Sequence, residues 1–354
     1  MRVPITGIGV IAPGAVGIAA FRELLDSGGT AVQEVDRFDT SGLSAHTAAL
    51  VRDFKPRDFI NPMKMRRMNG LSRLGVAAAK LAIEDCGAAP PPETGVAIGT
   101  AFGPVQTSVE YMQEYVEKGA SLAPPQLFAE SVANAPGSHI AIEWGLRGFN
   151  VTITQRESSA LAAAMYAATQ LVKGSASAAL IGGVEEANEM LFSVLDRIGA
   201  LAYDGHEGLI LGEGSAMLVA GAGTRRPYGW LAGFGMARDT TAPISDWGID
   251  SDAVATAMRA AMKDAEVQKV DAVFVSANGS PRGDVLERRA LAQLFGEIET
   301  VPTKHVFGEY AAGGALQLVA ALLALDEGRY DNVLVSSLSA GGGIVCAVLS
   351  REAA

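Results

Sequence analysis

One unit occurs twice in this chain, and any fold must accommodate both copies. Residues 158–173 form an alanine-rich helical stretch, Gly174 stops it, and residues 178–182 follow as a short apolar run. Residues 311–327, Gly328 and residues 332–336 repeat the order of helix, glycine stop and buried strand at similar lengths. A glycine just past a helix supplies a left-handed cap, and a short apolar run without alternation reads as a strand covered on both faces. Two such copies predict a layered α/β fold with a duplicated α/β/α/β/α core.

The first copy is entered through an abrupt turn. Residues 150–154 read as a strand, Gln155-Arg156-Glu157 as a polar elbow, and the helix follows at once. This places Glu157 at a helix N-terminus, where free backbone N–H groups and the macrodipole favour negative charge, so an ionised carboxylate is expected. Units of this kind often carry a Ser or Cys nucleophile at that position. Here it is a carboxylate.

The remaining periodicities extend the same architecture. Strands are expected over residues 3–11, 95–100, 228–236 and 272–277, with a glycine-interrupted strand pair over 209–220. Helices are expected over 16–25, 70–86, 104–118, 138–144, 190–198, 253–265 and 284–295, and residues 30–60 and 119–136 read as loops. In the helix over 104–118, Tyr111 and Tyr115 stand four residues apart beside Ser108 and Met112, a stripe that fits either core or an oligomer interface.

Composition excludes several function classes. A formal charge of −11 and a pI near 4.9 argue against nucleic acid, which needs a clustered basic face. Within this acidic chain, residues 61–68 form a basic knot containing Lys64, Arg66 and Arg67. Cys86 and Cys346 are far apart in apolar contexts, which predicts a reducing compartment and no disulfide framework. His46, His139, His206 and His305 lack ligand spacing, so no metal site is expected. The first residues read as a strand and not as a signal peptide, and a cytoplasmic location is expected, with no membrane partner.

Several stretches together resemble the β-ketoacyl synthase (condensing enzyme) family. They are Ile5-Thr-Gly-Ile-Gly-Val-Ile-Ala-Pro13, Arg66-Arg67-Met68 with Asp85-Cys-Gly87, Gly99-Thr-Ala-Phe-Gly103, Gly145-Leu-Arg-Gly-Phe-Asn-Val-Thr152, Gly212-Glu-Gly-Ser-Ala-Met-Leu-Val219, Ala277-Asn-Gly279, and Thr303-Lys304 with Gly308 and Ala311-Ala-Gly313. The resemblance implies a thiolase-like five-layer fold with halves at 1–225 and 226–354 and no cofactor. It also implies a cysteine at the elbow and two histidines that stabilise the enolate formed on decarboxylation. This sequence has Glu157 at the cysteine position, and Asn278 and Glu309 at the histidine positions. Lys304 is retained and is expected to pair with Glu309 or Glu287, while Ala340 stands where the family's gate loop carries a phenylalanine. The segments around Asn278 and over 190–208 are shorter than in typical members.

With the chemistry replaced, the resemblance is strongest to chain length factors, the β-subunits of type II polyketide ketosynthases. That implies a non-catalytic subunit of a ketosynthase heterodimer, with a catalytic ketosynthase and an acyl carrier protein bearing a phosphopantetheine-linked acyl chain as partners. Phe102, Ser108, Tyr111, Met112 and Tyr115 would then line the tunnel or interface, and Arg156 would reach a carboxylate across the dimer. Lys64, Arg66 and Arg67 would be a carrier docking patch. Two alternatives are an atypical malonyl-carrier decarboxylase using Glu157 and a scaffold that only recruits carrier protein.

Overall fold

The computed structural model describes residues 2–353. In the first half, strand β1 (Val3–Ala12) is followed by helices α1 (Ile18–Asp26) and α2 (Gly70–Cys86), then strand β2 (Gly95–Gly99). Helices α3 (Val105–Lys118) and α4 (Ala135–Trp144) lead to strand β3 (Asn150–Ile153), helix α5 (Ser159–Val172), strand β4 (Ala179–Glu185), helix α6 (Glu189–Arg197) and strand β5 (Gly214–Ala220). The second half runs through β6 (Gly229–Arg238), α7 (Ser251–Asp264), β7 (Ala272–Phe274), α8 (Pro281–Phe295), β8 (Glu299–Val301), α9 (Ala311–Asp326), β9 (Asn332–Leu338) and β10 (Gly343–Ser350).

Hydrogen bonding orders the sheet β3-β2-β4-β5-β1-β6-β10-β9-β7-β8. Outward from the centre, the first half reads β1, β5, β4, β2, β3 and the second reads β6, β10, β9, β7, β8. These are the same five positions in the same succession. The pairing directions repeat as well: β2 is parallel to β3 and β4, and β7 is parallel to β8 and β9. The halves meet where β1 and β6 pair antiparallel, through Val3 with Leu231, Pro4 with Trp230 and Ile5 with Gly229.

Burial explains the layering. Helix α9 is buried continuously from Ala311 to Leu325, and α5 from Ser159 to Ala164. A helix apolar on every side needs cover on every side, and these two pack against each other and against strands of both halves. Their small residues permit close approach. Helices α2 and α7 cover the outer faces, each capped at its start: Asn69 Oδ1 accepts from Ser72 N at 2.6 Å, and Asp250 Oδ1 from Asp252 N and Ala253 N.

Sequence periodicity missed some boundaries. Residues 119–136 contain the short helix Pro125–Glu130, and α8 starts at Pro281, ahead of the expected residue 284. In both cases a proline opens the helix, where its missing N–H costs nothing. Only residues 214–220 of the expected strand pair form a strand, and residues 30–60 include a small hairpin of Gln33–Glu34 with Thr47–Ala48. No helix among the described residues is long and apolar enough to cross a membrane.

Candidate site at the elbow

Between β3 and α5 the chain turns at Gln155 and Arg156. Arg156 has φ 48, a left-handed conformation that costs a non-glycine residue about 1–2 kcal/mol. Local hydrogen bonds hold it there: Ser159 Oγ accepts from Gln155 N at 2.8 Å and donates to the Arg156 carbonyl at 2.6 Å. Gly99 of β2 lies directly beneath, and a Cβ there would collide with Ala160 N, so only glycine lets the strand approach the start of the helix this closely. The turn between β9 and β10 completes the enclosure. Ser339 Oγ accepts from Ser158 N at 3.1 Å and donates to the Gln155 carbonyl at 3.0 Å, and Ala340 N donates to Glu157 Oε2 at 3.2 Å.

Glu157 is only 2% exposed. Burial, reinforced by the nearby charge of Glu309, pushes its carboxyl up to about 7, against the opposing pull of Arg156 and Lys304. This corrects the expectation of an ionised carboxylate. Desolvation outweighs the helix N-terminus, and near neutral pH the group is about half protonated.

Asn278 meets Lys304 and Glu309, which are five residues apart in sequence, close to Glu157. Lys304 Nζ lies 2.5 Å from Glu309 Oε2, Asn278 Nδ2 donates to the same oxygen at 2.8 Å, and Tyr310 N donates to Glu309 Oε1 at 2.8 Å. Of the two carboxylates expected to pair with Lys304, Glu309 is the one in contact. Glu287 instead accepts from Ser276 N at 2.9 Å, Ala277 N at 3.1 Å and Ser336 Oγ, and burial pushes it up to about 7. Tyr310 has φ 99 and is buried, and burial beside Glu157 and Glu309 raises its phenol well above the ordinary range.

A cleft of about 540 Å³ opens onto this assembly, lined by Arg156, Glu157, Leu195, Ile198, Tyr310 and Ala340 among others. Asn278, Lys304 and Glu309 do not line it. Neither cysteine does: Cys86 closes α2 and Cys346 lies within β10, both buried, and burial holds the Cys346 thiol far above the thiolate range. The cleft floor thus presents a carboxyl and a phenol where acyl transfer would need a thiolate. Among the described residues no group of three His, Cys, Asp or Glu could hold a metal ion.

The model of the β-ketoacyl synthase N-terminal domain matches residues 1–223, and that of the C-terminal domain residues 228–334. The chain belongs to the β-ketoacyl synthase family. It is 28% identical over 359 residues to 3-oxoacyl-(acyl-carrier-protein) synthase 2 of Vibrio harveyi, covering 92% of this chain and 86% of that one. With the protein of the same name from Coxiella burnetii it shares 26% identity, covering 99% and 98%. Among solved structures, the ishigamide ketosynthase/chain length factor matches with a TM-score of 0.90 at 24% identity, covering 99% of each chain. A β-ketoacyl synthase from Burkholderia phymatum STM815 matches at 0.88 and 23%, covering 99% of this chain and 100% of the other. The fold is the thiolase-like one of these ketosynthases.

The other residues singled out from the sequence do not line this cleft. Phe102 packs edge-on against Tyr310, with centroids 4.8 Å apart. Ser108 Oγ donates to the Pro104 carbonyl at 3.0 Å, and Tyr111 packs on Phe128 at 5.5 Å. Met112 and Tyr115 are 53% and 42% exposed, on the outer side of α3. Lys64 pairs with Glu143 at 2.8 Å, while Arg66 and Arg67 are exposed. Sequence reasoning missed Tyr310 and the buried Glu185 and Glu186, which burial pushes up to about 8 and about 7. The signal available was two adjacent carboxylates at the end of the apolar strand β4.

Proposed function

We propose that this chain is a non-catalytic, chain-length-factor-like subunit that pairs with a catalytic ketosynthase and shapes the tunnel for a chain growing on acyl carrier protein. The observation that carries this reading is the closed cluster of Lys304, Asn278 and Glu309. At the two positions where the family resemblance calls for histidines, the side chains satisfy each other and do not line the cleft. A buried carboxylate is acceptor-only, so Glu309 offers an enolate oxygen no donor, and Glu157 cannot form a thioester. The surface supports pairing: Met112, Tyr115, Val116, Leu122 and Phe128, from α3 and the segment after it, are all exposed, more large apolar side chains in one region than a free subunit usually leaves uncovered. Phe102, Ser108, Tyr111, Met112 and Tyr115 would contribute the wall facing the partner, and Arg156 would reach a partner carboxylate. Co-expression with a ketosynthase from the same gene neighbourhood tests it. Co-elution, altered product length in Tyr111→Ala and a weaker complex in Arg156→Ala are expected; a chain that elutes alone refutes the reading.

A second reading is favoured by the titration of Glu157. A carboxyl near 7 on the cleft floor retains a proton to donate to a thioester carbonyl, as malonyl-carrier decarboxylation requires. Release of carbon dioxide from malonyl-loaded carrier protein that disappears in Glu157→Ala would establish it. Carrier docking at Lys64, Arg66 and Arg67 belongs to either reading, and charge reversal at Arg66 and Arg67 should weaken it most at low salt.

A further inference from the structure

A separate pocket of about 470 Å³ lies between the N-terminal end of α2, the start of α3 and the loop after β4, and none of Glu157, Asn278, Lys304 and Glu309 lines it. One wall is finished. Arg37 grips Glu213 with both guanidinium nitrogens at 2.8 and 2.6 Å, and Glu213 also accepts from Val51 N at 2.8 Å and Ala187 N at 3.1 Å.

The facing wall is not. Glu186 Oε1, Asn188 Nδ2 and Arg73 Nε are buried without any hydrogen-bond partner. Glu186 and Asn188 are only 9% and 6% exposed. Leaving such groups unmatched costs about 1–3 kcal/mol each, and more when they are charged. Their positions are built and not accidental. The Asn188 oxygen is committed to capping α6 through Leu191 N at 2.9 Å, which fixes the direction of its amide nitrogen. Gly70 lets Glu186 come close to the start of α2, since a Cβ there would lie 2.6 Å from Glu186 Oε2. Arg73 makes its one side-chain hydrogen bond among the described residues to the Met65 carbonyl, at 3.4 Å, and its Nε has no partner there.

The unmatched set is therefore one acceptor on a carboxyl, one amide donor and one guanidinium donor, and Phe38, Phe54 and Leu74 add apolar surface beside them. The complement of that set is a molecule with an N–H donor, an anionic acceptor and an apolar body. We propose that this pocket binds a small α-amino acid with an apolar side chain, its carboxylate on Arg73 and Asn188, its ammonium on Glu186 and its side chain against Phe38, Phe54 and Leu74. Arginine and carboxylate form strong charge-assisted hydrogen bonds, and the two charges of the ligand replace two unsatisfied positions at once. The proposal does not depend on the ketosynthase-partner reading, and either can fail alone.

Isothermal titration of the purified full-length chain with L-leucine and L-phenylalanine tests it, with L-leucinamide lacking the carboxylate and N-acetyl-L-leucine lacking the ammonium as controls. Saturable binding of at least one amino acid is expected, weakened roughly tenfold or more in both controls, as expected when one charged contact is lost. Arg73→Met and Glu186→Gln should each weaken it to the same degree. Gln106→Trp provides a variant on an exposed helix surface, outside the core, and should block the pocket without disturbing the fold. No binding of either amino acid, binding of either control as tight as that of the amino acid, or undiminished binding in Gln106→Trp would overturn the assignment.

Discussion

Replacing Glu157 by glutamine tests the electrostatics of the elbow most directly, because the amide keeps the shape and an acceptor for Ala340 N but cannot ionise. In the folded chain the carboxyl titrates at about 7, against 4.5 for the free group. A raised carboxyl holds its proton in the folded state where the unfolded chain has already released it, so its contribution to stability is lost as pH rises from 4.5 through about 7. At about 1.4 kcal/mol per pH unit, the gap amounts to a penalty of about 3 kcal/mol at pH about 8 and only about 1 kcal/mol at pH about 5.5. Glutamine escapes this penalty. With an unfolding entropy of about 2 cal/mol/K per residue, the chain gains about 4 °C in melting temperature at the higher pH and about 1–2 °C at the lower. Differential scanning fluorimetry of both proteins at the two pH values reads the difference, and the other buried carboxyls, common to both, cancel. A gap that does not widen with pH, or a glutamine variant that melts lower at the higher pH, would show that the helix N-terminus and Arg156 hold Glu157 as a stable anion.

Removing one member of the buried ion pair should be costly. Lys304→Met leaves Glu309 charged and unpaired and is expected to lower stability by about 3–5 kcal/mol in urea unfolding, with most of the loss recovered when Glu309→Leu is added. Thiol-specific alkylation under native conditions should modify neither cysteine of the folded chain, since Cys86 and Cys346 are 1% and 0% exposed; modification of the native protein would contradict the burial of both thiols.

Much of the fold was legible because its central layer leaves so little choice. Helices α5 and α9 are largely apolar, and a chain folding in water must cover such helices on every side, here with each other and with strands of both halves. Their repetition, each with a glycine stop and an apolar strand, therefore specified the layers without any tertiary information. The edges were harder to read. Strand β8 is three residues long, too short for a period to register, and the helix starts at Pro125 and Pro281 depend on backbone capping that apolar spacing does not record.

The positions of the elbow site were legible as well, but its chemistry was not. Position along the chain puts Glu157 at a helix N-terminus, and that argument alone predicts an anion. Its protonation is set by groups brought from far along the chain, namely the walls that exclude water, the negative charge of Glu309 and the positive charge of Lys304. Local reasoning counted the dipole and could not count the desolvation.

The charges of Glu157, Lys304 and Glu309 make sense only together. Placing a glutamate at 309 sets an anion against Lys304, and that pair is neutral as a unit. A second ionised carboxylate at 157 would be buried beside the Glu309 charge, and burial first and that charge second raise Glu157. A double-variant experiment follows. In Glu309→Gln, Lys304 loses its ionised partner while the repulsion that helped raise Glu157 disappears, so Glu157 should ionise more readily and pair electrostatically with the lysine. The melting gap produced by Glu157→Gln, which widens with pH in the parent background, should then shrink or change sign in the Glu309→Gln background at pH about 8. An unchanged gap would mean that burial alone sets the proton on Glu157, and that Lys304 and Glu309 act as a closed pair with no influence on the elbow.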